Sequence, residues 1–110
     1  MRLLVVVLHS EELLDDLLSI LVEQELPDAV VVESRTGLEL LERDLPIFAG
    51  LRSLIPGGID FSRLVFCLLE REGQGPEVLQ AIGAMSDRSR TPDEPTNTAF
   101  LIPVDGIRLF

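Results

Sequence analysis

The sequence predicts an α+β sandwich: a four-stranded antiparallel sheet with two helices on one face. Three observations lead there. Leu3–Leu8 and Leu64–Leu69 are continuous apolar, strand-like runs of the kind buried at the centre of a sheet. Each is followed by a stretch with apolar residues at helical spacing. Two shorter β-prone runs complete the order β-α-β, long connection, β-α-β, which a split βαβ sandwich accounts for. The chain has 110 residues, the size of one ordinary domain, and its 46% apolar content can build a core. It is read as a single domain over residues 1–110.

The first strand spans Arg2 to Leu8. Ser10 is the expected N-cap of the first helix, with Glu11 and Glu12 in a first turn where acids suit the helix dipole. Leu14, Leu17, Leu18, Leu21 and Val22 form its apolar stripe. Pro27 ends it, because Leu26 before a proline is disfavoured in the α region. Ala29–Glu33 is a second strand by β-branching. Arg63–Leu69 is the third. Gly73, Gln74 and Gly75 make a turn, and Pro76 suits the first position of a second helix. Val78, Leu79, Ile82 and Met85 give that helix its apolar side. Ser86–Thr98 is polar, contains two prolines, and reads as a loop. Ala99–Val104 is the last strand, and Pro103 assigns it to a sheet edge. Ile107–Phe110 is a candidate extension of it after a turn at Asp105-Gly106. The right-handed crossover rule then places strands one and three in the centre.

Two features point to partners. Strands one and three are apolar on both faces, while two helices cover only one. The other face implies a homo-oligomer with sheets packed in its middle, or a connection folded over it. The connection Ser34–Ser62 is far longer than the ~4–6 residues usual between elements. It is rich in leucine, isoleucine and phenylalanine. Within it, Pro46–Leu54 reads as a short helix or docking surface, so Ile47, Phe48, Leu51 and Arg52 are candidate partner contacts.

Charge and composition exclude several classes. The net charge of −10 opposes nucleic acid and anionic lipid. No apolar run is long enough to span a bilayer. The start Met1-Arg2-Leu3-Leu4 lacks the order of a signal peptide, and the single Cys67 suits a reducing compartment, so a cytoplasmic location is expected. All nine cations are arginine, which removes lysine chemistry. His9, the one histidine, is expected to serve a local hydrogen bond. Cys67 is expected to pack inside a strand, and the carboxylate pairs Glu11-Glu12 and Asp15-Asp16 to form a solvated face. No catalytic or metal-ligating set emerges. Arg88 and Arg90 are the sharpest small-molecule candidates, because two guanidinium forks beside a hydroxyl suit phosphate or carboxylate. The alternative is a loop in which they pair with Asp87, Asp93 or Glu94.

Leu3–Leu8, Glu11–Leu21, Val31-Val32-Glu33-Ser34-Arg35, the long connection, Arg63–Leu69, the Pro76 helix and Phe100–Val104 together resemble the PII-like signalling proteins. The stretch Leu45–Arg52 resembles a divergent branch of that family. The resemblance covers essentially the whole chain and implies a ferredoxin-like βαββαβ fold, a homotrimer, and a partner-binding T-loop at 34–62. It also implies nucleotide clefts between subunits. Their first wall would be Arg35, Thr36 and Gly37, their second Asp87–Thr91 with Arg88 and Arg90, and Arg108 would lie near an arginine position after the last strand. Ser86–Pro95 departs from the glycine-rich, lysine-bearing wall of ATP-binding members, and Asp93 and Glu94 would repel a triphosphate. An adenine nucleotide is the implied effector, and no cofactor is expected. The chain has no tyrosine, which removes the tyrosine modification used by nitrogen regulators. Two other readings stand beside this non-enzymatic regulator: a small enzyme of the dimeric αβ-barrel type, and a structural oligomer without ligand control.

Overall fold

The structure, a computed structural model, describes residues 1–44, 61–89 and 96–110. Its elements are β1 (Arg2–Leu8), α1 (Leu13–Glu23), β2 (Val30–Glu33), α2 (Gly37–Asp44), β3 (Arg63–Leu69), α3 (Gln74–Ser89) and β4 (Thr98–Pro103). The four strands form one antiparallel sheet in the order β2-β3-β1-β4. This is the expected ferredoxin-like arrangement, with the two most apolar strands central and Pro103 on an edge.

The register sorts the side chains. Leu4, Val6 and Leu8 of β1 and Val65, Cys67 and Leu69 of β3 face the helices. There they meet Leu13, Leu17 and Leu21 of α1 and Val78, Ile82 and Met85 of α3. Leu4, Leu8, Leu17, Leu21 and Leu69 are almost wholly buried, and each contributes ~1.5–3 kcal/mol by leaving water. Among the described residues no aromatic ring belongs to the buried core.

The opposite face is also apolar. Pairing puts Leu3, Val5 and Val7 of β1 beside Leu64, Phe66 and Leu68 of β3. Val30 and Val32 extend this surface on β2, and Phe100 and Ile102 extend it on β4. Val30 is 56% exposed, Phe100 41% and Ile102 42%. Both helices that join the core pack on the other side.

Several local expectations are corrected. Helix α1 starts at Leu13, so Glu11 and Glu12 lie in a turn before it. Ser10 does not cap it. The Ser10 hydroxyl instead accepts a hydrogen bond from the Asn97 amide at 3.2 Å, while the Ser10 carbonyl takes the Leu13 N–H at 3.1 Å. Leu13 joins the buried stripe, and Val22 points to solvent. Glu25 adopts a left-handed backbone at φ 64 just past α1. Its N–H reaches the Val22 carbonyl at 3.0 Å, and the Leu26 N–H reaches Leu21 at 2.8 Å. This is a Schellman close, and Leu26 and Leu21 both belong to the core. Strand β2 starts at Val30, one residue late, and β4 runs one residue earlier than expected at both ends.

Helix α3 starts at Gln74, before Pro76, whose missing N–H is harmless in a first turn. It also continues through Ser89, so Asp87, Arg88 and Ser89 are helical, not loop. Gly73 supplies the positive φ, 80, needed in the turn before it. Helix α2, absent from the sequence expectations, occupies the start of the long connection. Ile107–Phe110 forms no strand.

Candidate functional site

One end of the sheet gathers most of the polar side chains with assigned partners. At that end β1 leaves into His9, β2 into Ser34, and β3 and β4 enter from Ser62 and Asn97. The connections that follow β1 and β2 and those that precede β3 and β4 therefore meet the sheet at the same end.

Ser34 and Ser62 form the neck of the long connection. Their hydroxyls are 2.7 Å apart, and the Ser34 N–H donates to the Ser62 carbonyl at 3.1 Å. Thr36 then starts α2: its hydroxyl accepts the Glu39 N–H at 3.1 Å, and its carbonyl accepts the Leu40 N–H at 3.2 Å. Thr36-Gly37-Leu38-Glu39 has the spacing of a capping box, a signal present in the sequence and passed over.

The neck opens into a cleft of about 450 Å³ lined by Glu33, Ser34, Arg35, Glu39 and Arg63. Arg35 lies 3.6 Å from Glu39, one helical turn on. Arg63 lies 3.5 Å from Glu33 and donates to the Ser62 carbonyl at 2.9 Å. Its guanidinium carbon stands 4.5 Å above the Phe61 ring, a cation–π contact that fixes its plane. Each guanidinium thus faces one carboxylate. The two carboxylates and two guanidiniums lining the cleft balance, which gives an incoming anion little net attraction.

The expected ligand residues fall in different places. Of Arg35, Thr36 and Gly37, Arg35 lines this cleft, while Thr36 and Gly37 lie at the start of α2 beside it. Arg88 is not with them: it borders a separate depression with Asp16, Ser19 and Glu23 of α1. Asp87 lines an apolar cavity of about 300 Å³ beside Ile82 and Ala99. Arg108 is exposed on the segment after β4. Arg90 and the partner-contact candidates Ile47, Phe48, Leu51 and Arg52 lie outside the described residues. Arg63, Glu33 and Glu39 are cleft residues that sequence reasoning missed. The signal for the first two was their position at facing ends of antiparallel strands.

His9 ties three segments together. Its backbone N–H donates to the Asn97 side-chain carbonyl at 2.7 Å, and its ring Nδ1 lies 3.4 Å from the Phe61 carbonyl. Cys67 is buried in the core, and that burial, with Asp28 second, pushes its thiol above the ordinary value. Such a thiol is a poor nucleophile. Among the described residues no three His, Cys, Asp or Glu side chains gather into a metal-holding group, and no helix is long and apolar enough to cross a membrane.

No family model matches the chain, and no curated protein matches it.

Proposed function

We propose that this chain is a regulatory binding module of the PII-like kind, without catalysis of its own. Three copies pack their open sheet faces together. The 34–62 connection engages a protein partner, and a small effector, an adenine nucleotide being the first candidate, occupies clefts between the copies.

The observation that supports this best is the open face. It is apolar on all four strands and carries no charged side chain between Leu3 and Val7 or between Leu64 and Leu68. A surface of this kind on a chain of net charge −10 is a poor design for a solitary molecule and a good one for a sheet-to-sheet contact. Regulation follows only if the effector binds two arrangements of the connection unequally. The neck is a sound place for that, because Thr36 and Arg35 sit at its start and Arg63 at its end.

The test is mass by light scattering, with thermal unfolding in the same samples, with and without ATP, ADP and AMP. A trimer with a raised unfolding temperature is the expected result. A ligand at about 100 times its dissociation constant adds ~2.7 kcal/mol. A trimer indifferent to every nucleotide removes the effector and leaves a structural or partner-binding oligomer. A monomer at all concentrations overturns the proposal.

A further inference from the structure

We propose that the apolar cavity between α3 and β4 is a binding site for a small aliphatic ammonium ion, its tail among core leucines and its charged head beside Asp87. The site lies within one subunit, on the helix side of the sheet, so it stands or falls independently of the assembly proposed above. It takes a cation, whereas the family resemblance placed Asp87 in the wall of a nucleotide cleft.

The cavity holds about 300 Å³, at the lower end of the range for small-molecule pockets. Leu8 of β1 and Leu17 of α1 form its floor and are almost wholly buried. Two small residues keep it open. Ala99 pairs with Val6 in the sheet and so faces the helices, as Val6 does. Gly83 lies one turn after Leu79 on α3, and both line the space. A Cβ at Gly83 would meet nothing within 4 Å. Gly73 alone among the described glycines has a positive φ, so the backbone does not demand glycine at position 83. Alanine would be favoured there in a helix interior. What glycine provides is room.

The space is reachable. Gly83, Asp87 and Thr98 are exposed while the floor is buried, so the mouth opens where α3 ends beside the start of β4. An apolar hollow of this kind is a packing defect when empty, and it accepts small apolar molecules.

The mouth selects the charge of the ligand. Asp87 is the one charged side chain on the lining, and among the described residues its carboxylate makes no ion pair. It sits in the last turn of α3, where the final carbonyls carry the negative end of the helix dipole. Arg88, the basic residue of the same turn, instead borders the depression that holds Asp16 and Glu23 of α1. The hydroxyl oxygens of Ser86 and Thr98 add acceptors that an ammonium group can use. Asn97 fixes the rim: its side chain accepts the His9 N–H and donates to the Ser10 hydroxyl, so the site is formed before a ligand arrives. A carboxylate or phosphate at this mouth would meet both Asp87 and the helix end as repulsion.

The test is nitrogen-15 NMR of the full chain at pH 7, titrated with hexylammonium, 1-hexanol and hexanoate. Saturable shifts of the Leu79, Gly83 and Ala99 amides are expected with hexylammonium, and hexanoate is expected to bind about tenfold more weakly. Asp87→Asn is expected to weaken hexylammonium about two- to fivefold and to leave hexanol unchanged. Gly83→Leu fills the cavity and is expected to abolish binding of all three probes, with circular dichroism to verify folding. Ala99→Leu fills the same space from the sheet and decides the matter if Gly83→Leu does not fold. Absence of saturable shifts at these amides, or binding that survives the filling variants, overturns the site. Shifts confined to Val5 and Phe66 would put the probe on the open sheet face and overturn it equally. Hexanoate binding as tightly as hexylammonium, or Asp87→Asn without effect, overturns the placement of the charged head.

Discussion

At the residue scale, Cys67 is a sharp reporter. It sits on the helix side of β3, 5% exposed, and its thiol holds its proton to higher pH than an ordinary cysteine because the surroundings are apolar. The sign of the consequence follows from linkage. In the unfolded chain the thiol ionises near pH ~8.5, while the folded protein keeps it neutral. Its contribution to stability is complete below that pH and is lost as pH rises towards the folded value, at no more than ~1.4 kcal/mol per pH unit. The chain has no lysine and no tyrosine to titrate in the same range. Urea unfolding between pH 8 and 10.5 is therefore expected to show a decline that Cys67→Ala removes, although that variant starts less stable. A decline equal in both proteins would mean that another group is responsible. The burial of Cys67 was legible in the sequence, since it lies within an unbroken apolar run. The partners of His9 were not: Asn97 and Phe61 are distant in sequence, and only folding brings them to it.

At the scale of elements, helix ends were the least legible feature. Ser10 has the chemistry of a cap, but Asn97 arrives from the other end of the chain and takes its hydroxyl, so the helix begins later. Arg88 and its neighbours read as loop because they are polar. Yet Asp87 and Arg88 follow Met85 on a helix already anchored by Val78 and Ile82, and packing there outweighs the weak local preference. Helix α2 was hidden because Gly37 and Asp44, at its two ends, are weak helix formers. The close of α1 offers a direct check. Glu25 occupies a left-handed conformation that costs an L-residue about 1 kcal/mol and glycine almost nothing. Glu25→Gly is expected to raise stability by a few tenths to ~1 kcal/mol, less the extra chain entropy of glycine. Thermal or urea unfolding measures it. Destabilisation beyond ~1 kcal/mol would show that the Glu25 side chain has a role the Schellman close does not explain.

At the scale of the molecule, topology was read correctly because two independent patterns agreed. Strand hydrophobicity chose β1 and β3 for the centre, and the crossover rule required the same. The cleft was only half legible. Of the residues that line it, Arg35 was singled out through the resemblance, whereas Arg63 and Glu33 meet across strands. The neck formed by Ser34 and Ser62 has a wider consequence. These residues are 28 positions apart yet in direct contact, so the sheet fixes both ends of whatever lies between them. For such an insert, length enters folding only through the logarithm of the loop size. Replacing residues 37–60 by a short glycine-containing turn is then expected to leave the sheet intact and to raise stability by ~1–2 kcal/mol. Loss of cooperative unfolding in that variant would show that the segment belongs to the core. If the sheet holds, the neck divides this chain into a frame that must be kept and an insert free to vary. Recognition could then diverge between descendants of the same frame without each change being tested against the stability of the whole.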